Sequence, residues 1–135
     1  MIARRQLLGF LLALGCLHLS AAQYVRGISG VWLYTSRDKK ISERYEFRSD
    51  GTGKLTSCKE TVQVKYKLSI PERRPDMEAL DLAVMATNGG RDCSGQAHAV
   101  GFQTTLFIGL DNSGTTFVEC NNPVDDCDGS ARRVD

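Results

Sequence analysis

The sequence predicts an all-β domain, an antiparallel up-and-down meander of about eight strands that closes into a small barrel and carries two disulfides. Three observations lead there. Apolar residues recur with a period of two, the repeat of a strand with one buried and one wet face. Gly, Asn and Asp gather in short clusters between the alternating runs, where tight hairpins need a positive φ. Four cysteines, Cys58, Cys93, Cys120 and Cys127, form an even set in a small domain.

The strands follow in order. The first spans about 28 to 37, around Trp32 and Tyr34, and the second about 41 to 49, where Ile41, Tyr45 and Phe47 alternate with Ser42, Arg44, Glu46 and Arg48. Asp50-Gly51 turns the chain into a short strand at 53 to 58. The pattern is clearest at 61 to 70, where Val62, Val64, Tyr66, Leu68 and Ile70 alternate with Thr61, Gln63, Lys65, Lys67 and Ser69. After the charged connection Pro71-Glu72-Arg73-Arg74-Pro75-Asp76, strands are expected at 79 to 87 and 99 to 110. Asp111-Asn112-Ser113-Gly114 is the next turn, before strands at 115 to 121 and 130 to 134. A meander of this many strands hides its edges most simply by closing; an open sheet or sandwich is the alternative.

The amino end reads as a secretory signal peptide. Arg4 and Arg5 precede an apolar run from Leu7 to Leu19, and Ser20-Ala21-Ala22 supplies the small residues of a cleavage site. Residues 1–22 are therefore expected to be removed, leaving one domain over 23–135 in the periplasm or outside the cell. Leu12-Ala13-Leu14-Gly15-Cys16 also loosely fits a lipoprotein site, so an anchor through Cys16 is the alternative, and Arg4-Arg5 matches the twin-arginine pattern.

Charge excludes one class of partner. Loss of Arg4 and Arg5 takes the 17 Lys and Arg to 15 against 16 Asp and Glu, so the exported domain is near neutral. With no basic patch and no aromatic RNA-binding motif, nucleic acid is not an expected partner.

Gly30-Val31-Trp32 at the start of the first strand, Tyr45-Glu46-Phe47 and the Asp50-Gly51 hairpin resemble the lipocalin-type barrels of the calycin superfamily, above all short bacterial lipocalin-like proteins. The resemblance implies that Trp32 plugs the closed end and that an arginine of the last strand, Arg132 or Arg133, packs over its ring. It also implies a carrier or sensor of a small apolar ligand.

In an up-and-down barrel the connections at 38 to 40, 58 to 61, 88 to 98 and 122 to 129 emerge at one end, opposite Trp32, and all four cysteines fall there. The expected pairs are Cys58 with Cys93 and Cys120 with Cys127; a four-cysteine zinc site would need close Cys-x-x-Cys pairs that the chain lacks. The expected inward side chains are Trp32, Tyr34, Tyr45, Phe47, Tyr66, Leu68, Leu80, Leu82, Phe102, Leu106 and Ile108, a largely filled interior with at most a shallow apolar pocket at the mouth. Glu43 is the polar exception, read either as a satisfied carboxylate or as a ligand anchor.

Candidate functional residues are few. His98 is the one histidine after residue 22, and no nucleophile motif accompanies it, so no catalytic residues and no enzyme are expected. Asn121, Asn122, Asp125, Asp126 and Asp128 form an acidic cluster without the EF-hand spacing; no metal and no cofactor are expected. The leading expectation is a non-enzymatic binding module, inhibitor-like or immunity-like, that presents disulfide-tied mouth loops to a protein partner. Glu43, Arg91, Asp92, His98, Asp125 and Asp126 are its expected contact residues.

Overall fold

The computed structural model describes residues 27–123 and 126–135. The expected signal peptide and cleavage site, Cys16 and Asp125 lie outside the described residues. Eight strands follow one another: β1 Gly30–Ser36, β2 Ser42–Phe47, β3 Thr52–Ser57, β4 Glu60–Ser69, β5 Glu78–Thr87, β6 Gln103–Leu110, β7 Thr116–Asn122 and β8 Asp126–Arg133. Each pairs antiparallel with the next, and β8 returns to β1, so the sheet is a closed barrel. The expected fold class is borne out.

Alternation places the core. Trp32, Tyr45, Leu55 and Val62 are register partners across β1 to β4, so their inward faces meet. The β2–β3 turn is held by Asp50, whose carboxylate accepts the Thr52 N–H at 2.9 Å, while Gly51 takes φ +84°. Asp111 does the same before β7, accepting from Thr115 N at 3.0 Å and Ser113 Oγ at 2.8 Å.

The closed end is built on Trp32, which is 0 % exposed. Its indole N–H donates to the Ile28 carbonyl at 2.8 Å, and Phe117 lies 4.8 Å away ring to ring. The Arg133 guanidinium stands 4.4 Å above the Trp32 ring and donates to the Ser29 carbonyl at 2.6 Å. Of the two arginines expected, Arg133 takes this place; Arg132, one residue earlier in the alternation, is exposed. Gly30 is required in the same corner: its φ is +133°, and a Cβ there would fall on the Arg133 guanidinium.

Both expected disulfides are present, Cys58–Cys93 and Cys120–Cys127. Two structural disulfides belong to an oxidising, extracytoplasmic setting.

Three expectations need correction. The last strand starts earlier than 130: Asp126-Cys127-Asp128-Gly129-Ser130 reads as turn chemistry, yet it pairs with β7 through two register shifts, around Cys120 and Asn122. Gly129 is needed there because a Cβ would strike the Thr35 carbonyl and the Tyr34 ring. Strand β6 starts at Gln103 rather than 99, which leaves Val100 63 % exposed on the long β5–β6 loop, while Phe102, 44 % exposed at the end of that loop, lines the barrel cavity without being buried in the core. Finally, the 71–76 connection is not confined to the closed end. Strand stagger brings Ala79, Phe107 and Cys120 into register across β5 to β7, and the Arg74 guanidinium reaches the Pro123 carbonyl of the β7–β8 turn.

Candidate functional site: a carboxylate-lined barrel cavity

Bulky side chains do not fill the barrel completely. A cavity of about 160 Å3 runs inward from the mouth. Its apolar wall comes from inward positions of five strands: Phe47 on β2, Leu55 on β3, Val62 and Val64 on β4, Leu80, Leu82 and Val84 on β5, and Leu106 on β6. Its polar wall is acidic. Glu43, Glu60, Asp92 and Glu119 line it with His98, and among the described residues no lysine or arginine does. The cavity is deeper and far more acidic than a shallow apolar pocket.

Two carboxylates meet inside. The Tyr45 hydroxyl donates to Glu43 at 2.8 Å and faces Glu119 at 3.1 Å, while Ser57 Oγ donates to the other Glu43 oxygen at 2.7 Å. Glu43 is thus satisfied by hydroxyls rather than by an arginine or lysine. Burial, and then the nearby Glu43 charge, push the Glu119 carboxyl up to about 8. Burial and the same two carboxylates also raise Tyr45 and Tyr34, whose rings stack at 5.8 Å. At neutral pH Glu119 therefore keeps its proton, and the Tyr45 hydroxyl stands between the two carboxyl groups.

This carries a stability consequence. A carboxyl with a raised folded pKa binds its proton more tightly in the native state, so its contribution is complete below about pH 4.5 and is lost as pH rises through about 8. A tenfold gain in proton affinity is worth about 1.4 kcal/mol, so the full effect is a few kcal/mol. Glu119→Gln should flatten the fall in stability between about pH 5 and pH 9. Urea unfolding at several pH values checks this, and an unchanged slope would contradict the assignment.

The second acidic group sits at the rim. Glu60, 4 % exposed at the start of β4, accepts the His98 backbone N–H at 2.7 Å and meets His98 Nδ1 at 2.8 Å. Asp92 is fixed in its own loop, accepting from Ser94 N at 2.9 Å and Gln96 N at 2.8 Å. The Cys58–Cys93 bond joins the segments that carry these groups, since Glu60 lies just after Cys58 and Asp92 just before Cys93. One donor atom from each of Glu60, Asp92 and His98 lies within 4.8 Å of the others, a set able to ligate a divalent cation. The two Glu60–His98 contacts also latch the 88–102 loop to the start of β4, with the Phe102 ring 4.6 Å from that of His98.

The six expected contact residues do not form one patch. Glu43, Asp92 and His98 share the cavity wall. Arg91 is exposed and donates to the Gly95 carbonyl at 2.7 Å, bracing its own loop. Asp126 is exposed where β8 begins, outside the cavity, and Asp125 lies outside the described residues. In the acidic cluster, the Asn121 amide donates to Asp128 across the β7–β8 pair. Sequence reading missed Glu60 and Glu119. Both were open to the period-two rule: Glu60 precedes Val62 and Val64 on the inward face, and Glu119 follows Phe117.

Compared with protein-family models, with curated proteins and with solved structures, the chain matches none.

Proposed function

We propose that this protein is a non-enzymatic, exported binding protein that receives one compact small molecule in its barrel cavity, in the manner of a small lipocalin-like carrier or sensor. The observation that carries the reading is the cavity itself, about 160 Å3 with a mostly apolar wall and polar groups that include four carboxylates. An apolar cavity of about 150 Å3 accepts benzene, so the volume suits a single ring and excludes a long acyl chain. The closed eight-stranded barrel, the Gly30-x-Trp32 corner and the Arg133 stack support kinship with lipocalin-like proteins.

Toluene tests the reading. It should raise the melting temperature of the wild type in proportion to the logarithm of its concentration, as any ligand of the native state does. Thr104→Phe, which adds a ring to the cavity wall, should abolish that rise. A wild type insensitive to toluene, or a variant that responds equally, would refute it.

A second reading, a module that offers the mouth to a protein partner, is favoured by the exposed apolar side chains beside it: Val100 and Phe102 on the loop, and Met85 at the end of β5. Thr104→Phe separates the two, because it blocks the cavity and leaves that rim unchanged.

A further inference from the structure

We propose that the ligand of this cavity is a small primary amine, bound as the ammonium between Glu43 and Glu119 with its apolar body against Leu55, Val64, Leu82 and Leu106. The proposal rests on the cavity being the binding site and adds the chemical class of what enters it.

Charge is the first argument. Four carboxylates line the cavity without a lysine or arginine among the described lining residues. The salt bridges of neighbouring strands, Arg44 and Lys54 with Glu46, are made on the outer face and neutralise nothing inside. An anion would add repulsion, and a neutral ligand would strip water from Glu43 without compensating its charge. A cation replaces the lost water and balances the charge.

Donor count is the second argument. Once Glu119 has given up its proton, Tyr45 is left with one hydroxyl hydrogen for two carboxylate oxygens, at 2.8 Å and 3.1 Å. An ammonium brings three N–H donors, enough to serve Glu43 and Glu119 while Tyr45 keeps its bond. Tyr45 and Phe47 add aromatic faces to the wall, which favour a cation over a neutral group of the same shape.

The proton follows from the same geometry. The charged and titratable groups that act on Glu119 are Glu43 and Tyr45 from β2, Tyr34 from β1 and Asp128 from β8, and none of them is a cation. With the cavity empty, Glu119 is protonated at neutral pH; an ammonium beside it lets it ionise. Binding therefore releases a proton to solvent and tightens from about pH 6 to about pH 8 while the amine remains charged.

The test uses three probes of one shape and three charges, benzylamine, benzyl alcohol and benzoate, titrated calorimetrically into the purified oxidised protein near neutral pH. Benzylamine is expected to bind about 10-fold to 100-fold more tightly than benzyl alcohol, the range of a charge-assisted hydrogen bond, and benzoate not at all. In E43Q and E119Q, each checked for an intact unfolding transition, that preference should vanish. The proton release, read from two buffers of different ionisation enthalpy, should be missing in E119Q. Benzyl alcohol binding as tightly as benzylamine would overturn the amine and leave the cavity reading standing. A benzylamine preference that survives both substitutions would overturn the placement between Glu43 and Glu119. Failure of all three probes to bind would overturn the cavity reading together with the proposal.

Discussion

Trp32→Ala should destabilise the protein by about 3 to 5 kcal/mol, the cost of deleting a fully buried large aromatic side chain. For a domain of this size that lowers the melting temperature by more than about 12 °C. The loss has several parts. The cavity left behind strips Phe117 of its ring partner, orphans the Ile28 carbonyl that accepts the indole N–H, and removes the surface beneath Arg133. The cation–π contact accounts for only about 0.5 to 2 kcal/mol of it. Trp32→Phe should therefore recover most of the packing and fall well short of the full loss. Far-ultraviolet circular dichroism is the proper readout, since the substitution removes the fluorophore. A melting temperature within a few degrees of wild type would show that the closed end does not depend on the indole.

The second large effect is expected from the mouth. Replacing Cys58 and Cys93 together by Ala should cost about 4 kcal/mol in the chain-entropy account, because the bond closes a loop of 35 residues. The same change at Cys120 and Cys127, only 7 residues apart, should cost about 2 to 3 kcal/mol. The order matters more than either value, and denaturant titration of the two double variants gives it directly. The first variant should also free the 88–102 loop, since the Glu60–His98 latch joins the two segments tied by that bond, and hydrogen exchange at the His98 amide would report it. Thiol labelling of unreduced, denatured wild type should find none of these four cysteines. Equal losses from the two double variants would argue that the long loop is already constrained in the unfolded chain.

Much of this architecture was legible because a half-buried strand writes its own geometry into the sequence. Val62 to Ile70 could hardly alternate as they do on a helix, and Asp50-Gly51 and Asp111 to Gly114 mark turns by the φ values they allow. What failed to show were places where two local signals conflict. Asp126 to Ser130 carries turn residues, yet its backbone is captured by β7 on one side and β1 on the other, so tertiary pairing overrides propensity. Val100 and Phe102 continue the alternation of β6 in sequence but precede the strand, on a loop where Val100 is exposed and Phe102 lines the cavity. The cavity was less legible than the fold. Glu43 stood out as an acid on an inward face, but its partner Glu119 lies far along the chain, and only closure of the barrel brings both to the Tyr45 hydroxyl.

The pairing of β1 with β8 makes the barrel's closure depend on its last strand. Arg133 bonds to Ser29 across 104 residues, and Trp32 has no lid until that arginine arrives. Because long-range closure is the slow step of such topologies, the chain must stay open until its final strand is available. The first seven strands alone therefore cannot lock into the native form. It also means that trimming the last few residues should harm the amino-terminal corner first, far from the cut in sequence and adjacent to it in space.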